Sequence, residues 1–375
     1  MSNNPSFVLQ KAHSTSFEDR PVPEIGDDDV LIEVKKTGIC GSDVHYLVHG
    51  SIGEFVVKSP MVLGHESAGV ISKVGKNVTT LKAGDRVAME PGKSCRTCDT
   101  CKSGRYQLCP QMAFAATPPH DGTLARYYRL PADLAYPLPT NLTLEDGALM
   151  EPLAVAVHCC NYLAQLRPTQ NVAVFGCGPV GLLCMAVAKA LGAARIIAVD
   201  IVDSRLDFAR SYAATDRYKP PAPQDGESKI AYSTRSAEIM RTQLNIEDRG
   251  SNAIDLVIDA SGAEVSIQTG MLVAGVGGTY IQVGMGQPEV TIPIGLLGSK
   301  ELTIRTSFRY GPGDYPLAIA LAAAGKVDLK PMVTHRFKFD DAIIAFEATK
   351  KGKSEDGKGL IKAIISGPDV SVDDI

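Results

Sequence analysis

A chain of 375 residues suggests two domains more readily than one, and 45% hydrophobic with 21% charged residues suits a globular protein with a large core. A formal net charge of −4 gives no reason to expect nucleic acid or an anionic membrane as partner. Apolar stretches are broken by Gly, Lys or Arg, and the opening MSNNPSFVLQKAHS lacks the basic segment and apolar run of a secretory signal, so a soluble, cytoplasmic protein is expected.

From about Val30 to Val87 the chain reads as short strands between glycine turns: VLIEVKKTGIC, ESAGVISKVG and GDRVAME. Next comes a cluster of Cys95, Cys98, Cys101 and Cys109, four of nine cysteines. A cytosolic protein keeps its thiols reduced, so such crowding points to metal rather than disulfides. From Asn171 the rhythm changes. NVAVFG is a short buried strand, GPVGLLCMAVAKALGA an apolar helix, and RIIAVD a second strand, which together make a βαβ unit. IDLVIDASG and GGTYIQVG continue the parallel sheet. The polar stretch with YKPPAPQDGES reads as a surface loop leading into the helix SAEIMRTQL. At the end, KKGKSEDGKG is an exposed turn before a last strand, LIKAII, whose packing partner periodicity does not reveal.

Gly176, Gly178, Pro179, Val180 and Gly181 belong to a G-x-G-x-x-G run that follows a strand and opens a helix. Such glycines permit a tight turn and close approach of backbone to a pyrophosphate, which meets the N–H groups at the helix start. Asp200 ends the second strand, where a carboxylate binds adenosine ribose hydroxyls and repels a 2′-phosphate, so NAD is expected over NADP. Arg205 either lies beside that ribose or is a solvated helix residue. The plain alternative is a strand–turn–helix with no ligand.

Four thiolates at Cys95, Cys98, Cys101 and Cys109 would close the coordination sphere of a structural zinc in a lobe of about residues 93–112. Cys40 in GICGSDVH, His65 and Glu66 in LGHESAG, and Glu151 in LMEPLAVAVH would together suit a zinc with an open position. Each alone reads equally as a buried thiol, a core histidine or a helix-start carboxylate, and spacing does not join them.

TGICGSDVH, GHESAG with VISKVG and GDRVA, and FGCGPVG resemble the zinc-containing medium-chain dehydrogenases over nearly the whole chain. MEPLAVAVH, MAFAATPP and SFRYGPGDY are most similar to the polyol branch of sorbitol and xylitol dehydrogenases, the last two to its fungal xylitol members. The resemblance implies an α/β protein: a GroES-like, mostly β catalytic domain from residues 1–155 and 297–375, and a doubly wound Rossmann domain from 156–296. The active site would lie in the cleft where they meet. It further implies that Cys40, His65 and Glu151 bind the catalytic zinc and that Glu66 approaches the metal or its water. Asp43 would orient the histidine, Ser42 and His45 relay the proton, and Tyr46, Phe114, Thr117, Arg309 and Tyr310 line the sugar-alcohol pocket. His45 reads equally as a surface histidine.

The activity so implied is NAD-linked oxidation of a polyol, foremost xylitol to D-xylulose, with one catalytic and one structural zinc per chain in a homo-oligomer, commonly a tetramer. L-Arabinitol 4-dehydrogenase or sorbitol dehydrogenase activity is the nearest rival. A zinc-free quinone reductase would lack the Cys40, His65, Glu151 set, and a non-catalytic nucleotide-binding protein would have lost ligands or relay residues; none is visibly lost.

Overall fold

Alternating apolar and polar side chains in DVLIEVKKTG make Asp29–Gly38 the spine of the first sheet, with Val30, Ile32 and Val34 buried. In the computed structural model, which describes residues 3–374, this strand pairs antiparallel with Glu66–Val74 and, on its other edge, with Lys362–Ser366. The sheet runs Ala135–Pro137, Arg86–Met89, Glu66–Val74, Asp29–Gly38, Lys362–Ser366, Val333–Phe337, and Tyr127–Pro131 also pairs with Asp29–Gly38. The last strand of the chain is therefore a central strand of the first sheet. Aromatic packing accompanies it: Phe346 and Phe7, both fully buried, meet with ring centroids 5.5 Å apart.

The chain folds as two compact units, the first from residues up to Glu151 together with Gly311 onward, the second Pro152–Tyr310. The second holds a six-stranded parallel sheet of β1 (Asn171–Phe175), β2 (Arg195–Val199), β3 (Asp216–Tyr218), β4 (Ile254–Asp259), β5 (Ala274–Gln282) and β6 (Thr303–Thr306), in the order β3-β2-β1-β4-β5-β6. Every residue of β1 is buried, as expected of a strand covered on both faces. β6 pairs in parallel with β5 in register Thr279↔Thr303, which carries this unit well past residue 297.

Two elements differ from the reading of the sequence. GSDVHYLVH is not strand but a helix, Gly41–His49, with Asp43 in its first turn and Gly50 closing it at φ +71°. Its two and a half turns are too short and too polar at the start for periodicity to reveal. The helix read at SAEIMRTQL begins earlier, at Lys229, because the Ser228 side chain caps it by accepting from the Ala231 N–H at 3.3 Å. Among the described residues no helix is long and apolar enough to cross a membrane.

The cysteine lobe holds only a single helical turn, Asp99–Lys102, and a short 3₁₀ segment, Tyr106–Leu108. Its anchor to the sheet is Glu90, fully buried, which accepts hydrogen bonds from the Tyr106 and Tyr136 hydroxyls, the latter at 2.8 Å. Tyr136 stacks on Tyr315 at 5.1 Å, whose hydroxyl donates to the Met89 carbonyl at 2.8 Å. Burial pushes the Glu90 carboxyl up from its ordinary 4.5 to about 7, although both tyrosines pull the other way. Between those two pH values the folded chain holds a proton that the unfolded chain has released, so stability falls as pH rises through the window. The fall is on the order of 3 kcal/mol. Urea midpoints taken between pH 4.5 and 8 should show this decline, and Glu90→Gln should flatten it; an unchanged profile in the variant would assign the decline to other groups.

Candidate active site and metal centres

Three ligand atoms converge where the strand Glu66–Val74 begins. Cys40, His65 and Glu66 each offer one donor atom within 4.8 Å of the others. Cys40 is the N-cap of the helix Gly41–His49, and His65 and Glu66 follow Gly64, whose φ of +89° turns the chain into its strand. The pairing Gly38↔Glu66 sets the two segments side by side. A Cβ at Gly38 would collide with the Glu66 carboxylate, so a glycine there makes room for a buried acid.

Asp43 fixes the histidine. It is fully buried, accepts from the Gly64 N–H at 3.0 Å and the Cys40 N–H at 3.3 Å, and lies 3.4 Å from His65 Nδ1. Burial disfavours charge on His65, but Asp43 and Cys40 outweigh it and hold the imidazole well above its ordinary range. A field that attracts a proton this strongly also attracts a cation. Glu66 Oε2 is buried and, apart from its ion pair with Lys362, takes no hydrogen bond of acceptable geometry. Thiolate, imidazole and carboxylate are a donor set that fits zinc.

Lys362 was not foreseen. It is buried, pairs with Glu66 and donates to the Ile39 carbonyl at 3.0 Å. Burial pushes its ammonium down, while Glu66, Cys40 and Glu151 outweigh that and raise it. A lysine in the middle of the apolar LIKAII was the available signal, since a buried lysine needs a partner. Glu151 is buried near the start of the helix Met150–Val157 and stands outside the converging three, although its charge is felt at Lys362 and at Tyr315.

The other residues singled out in the sequence are divided between the two units. Ser42 is half-buried and His45 exposed on the helix Gly41–His49, His45 beside His49 with ring centroids 5.4 Å apart. Tyr46 is buried in the same helix. Phe114 is buried, with its ring 5.8 Å from that of His65, and the Thr117 N–H donates to the Phe114 carbonyl at 3.1 Å. Arg309, at φ +58°, and buried Tyr310 close the second unit, where the Arg309 guanidinium lies 4.7 Å over the Phe308 ring.

Cys95, Cys98, Cys101 and Cys109 form the second cluster, again with all sulfurs within 4.8 Å. The distances Cys95–Cys101, Cys98–Cys101 and Cys98–Cys109 are 3.9, 3.5 and 3.8 Å. A tetrahedron of Zn–S bonds near 2.3 Å has edges of about 3.8 Å, so the four sulfurs fit the ion. The backbone N–H groups of Thr97 and Cys98 favour thiolate at Cys95, holding it down at about 6, while burial pushes Cys109 up to about 11.

In the second unit, Gly176 at φ +94° follows β1, Gly178 caps the helix α1 (Pro179–Ala190), and Pro179 starts it. A Cβ at Gly181 would strike the Gly176 carbonyl oxygen, whereas one at Gly178 would meet open space, the side from which a phosphate can approach the helix. Val180 follows Pro179 in the first turn, half-buried. Asp200 braces the glycine loop, a role that the sequence did not reveal: its Oδ2 accepts from the Cys177 N–H at 2.7 Å and its Oδ1 from the Val202 N–H at 2.9 Å. Burial pushes the Cys177 thiol up to about 12, Asp200 adds to this, and Arg205 opposes it. An inert, small Cys177 is tolerated in the loop for that reason.

Comparison with known proteins identifies the family. An alcohol dehydrogenase GroES-like domain matches residues 26–140 and a zinc-binding dehydrogenase domain matches residues 179–324. The chain is 56% identical over 369 residues to D-xylulose reductase A of Aspergillus niger, covering 98% of each chain. L-Idonate 5-dehydrogenase of Escherichia coli superimposes with a TM-score of 0.84 at 27% identity, covering 97% of this chain and 98% of that one. An E. coli alcohol dehydrogenase complexed with NADH gives 0.84 at 25% identity, covering 98% and 100%. With a GroES-like unit, a Rossmann unit and donor sets for two zinc ions, the chain belongs to the zinc-dependent medium-chain alcohol dehydrogenases, a family of NAD(P)-linked oxidoreductases.

Proposed function

We propose that this protein oxidises xylitol to D-xylulose, with NAD reduced to NADH and one proton released. The observation that carries the reading is the convergence of Cys40, His65 and Glu66 in a chain 56% identical to a fungal D-xylulose reductase over 98% of its length. Catalysis of the hydroxyl chemistry falls to the first unit and cofactor binding to the second.

Zinc held by Cys40, His65 and a carboxylate supplies Lewis acidity toward a hydroxyl oxygen, and NAD supplies the hydride acceptor. By family resemblance Glu151, a buried acid, would complete the ligand set, with Glu66, also buried, approaching the metal or its water. Asp43 occupies His65 Nδ1 and so leaves Nε2 to face a metal. The Phe114 ring beside His65 excludes water from that side. Ser42 and His45, three residues apart on one helix, share a face and can pass the released proton outward, since His45 is exposed. By family resemblance Tyr46, Phe114, Thr117, Arg309 and Tyr310 are proposed to contact the polyol, Arg309 donating to a second substrate hydroxyl. Gly176, Gly178, Pro179, Val180 and Gly181 would hold the pyrophosphate, and Asp200 with Arg205 the adenosine ribose. Each Asp200 oxygen keeps a lone pair after its backbone bond, so two ribose hydroxyls can still donate to it.

A homo-oligomer, a tetramer by family analogy, is supported by β6, which lies at the sheet edge with all four residues exposed and with Ile304 among them. None of the nine cysteines forms a disulfide among the described residues, which suits the reducing cytoplasm.

NADH formation on xylitol, sorbitol, L-arabinitol and ethanol, with and without a zinc chelator, tests the reading directly. Chelator-sensitive turnover led by xylitol is expected; a lead by L-arabinitol or sorbitol would move the assignment within the polyols, and no polyol turnover by the zinc-loaded protein would end it. Elemental analysis separates the two metal sites. Cys40→Ser should lose one zinc and turnover while leaving the fold intact, whereas Cys98→Ser should lose the other zinc and lower the melting temperature. Asp200→Ala should raise the NADP-to-NAD ratio of kcat/KM by about tenfold or more, as removal of a charge that repels a 2′-phosphate predicts. An unaltered ratio would take Asp200 off the ribose.

A further inference from the structure

We infer that Asp259 is a positioning residue for the nicotinamide half of the cofactor site, a reading that rests on the dinucleotide assignment above. In a sheet ordered β3-β2-β1-β4-β5-β6, ligands lie beyond the carboxyl ends of the strands, and each half of the sheet serves one nucleotide. Asp200 at the end of β2 marks the adenosine half. The other nucleotide then faces the segments that leave β4 and β5, residues 260–263 and 283–286.

Those segments are packed backbone on backbone. A Cβ at Gly284 would strike the Gly262 nitrogen, one at Gly286 the Gly262 carbonyl oxygen, and one at Gly176 would lie 3.0 Å from the Ser261 nitrogen. The glycine loop and the two turns thus form one layer with no side chain between them. Gly262 itself turns at φ +71°.

Asp259 ties this layer together. It ends β4 and is fully buried. Its Oδ1 accepts from the Gly262 N–H at 2.7 Å, the Ser261 N–H at 3.1 Å and Gln282 Nε2 at 3.1 Å, while Ser261 Oγ donates to Oδ2 at 3.1 Å. Its own carbonyl accepts from the Val283 and Gly284 N–H groups at 2.9 and 2.8 Å. Gln282 gives a further bond to the Gly284 carbonyl at 2.8 Å and is held by the Tyr280 hydroxyl at 2.7 Å. All these donors are neutral. An acid buried among neutral donors is a poor way to gain stability. What it does supply is a fixed separation and orientation of two turns: the N–H groups of residues 260–263 and of Val283 and Gly284 are all taken up inside the layer, and the backbone groups not so used are held in place to meet a carboxamide, a group that both donates and accepts.

The test compares NADH with ADP-ribose, which lacks the nicotinamide, as ligands of the zinc-loaded wild type and of Asp259→Asn. The amide nitrogen of the variant would face donors and open the turns. ADP-ribose should bind within about twofold of wild type, while NADH, followed by its fluorescence, should weaken by about tenfold or more, the scale of a lost charge-assisted bond. Gln282→Leu should weaken NADH selectively in the same way and serves if Asp259→Asn does not fold. Equal weakening of both ligands, or no weakening of either, would overturn the positioning role. A wild type that binds neither would overturn the dinucleotide reading beneath it.

Discussion

The antiparallel register that sets Gly38 opposite Glu66 is the constraint on which the metal centre depends. It brings Cys40, two residues beyond one strand, next to His65, one residue before the other. Because side-chain direction alternates along a strand, a slip of one residue would turn Glu66 away and separate the thiol from the imidazole. The absence of a side chain at Gly38 is what lets the carboxylate occupy the space between the strands.

Burying that carboxylate beside a thiol, with Asp43 and Glu151 also buried nearby, concentrates negative charge in a low-dielectric interior. Two cations offset it. Lys362 is built into the protein; the other would be a metal ion, which Cys40, His65 and Glu66 could hold. Lys362 also spans the strand pairing, since it donates to the Ile39 carbonyl. The same compensation does not exist at Asp259, where only neutral groups surround the acid, and burial raises its carboxyl accordingly. The two buried acids are thus held by different means, one by counter-charge and one by hydrogen bonds.

What could be read from the sequence was what is local in the chain. Gly176 to Gly181 and Cys95 to Cys109 are each local in the chain, so the glycine spacing, set between a strand and a helix, and the cysteine spacing could be read directly as a candidate phosphate loop and a candidate tetrathiolate site. Cys40, His65 and Glu66 were readable only through family resemblance, because a strand register rather than a spacing brings them together. The helix Gly41–His49 escaped notice because its length and its polar start give a weak period. Lys362 escaped because its partner Glu66 lies far off in the chain, and a lone lysine in an apolar run does not name its partner. The brace from Cys177 to Asp200 uses a backbone N–H, which no side-chain pattern records.

The strand Lys362–Ser366 inserts beside Asp29–Gly38, which was made far earlier. Synthesis on the ribosome is vectorial, so the second unit, one uninterrupted segment, can fold as it emerges. The first unit has to wait for the final strand before Glu66 meets its lysine and the sheet closes. Nascent chains thus carry Cys40, His65 and Glu66 with an exposed sheet edge until that strand emerges, which makes this interval the one in which aggregation and premature or incorrect metal binding would compete with folding.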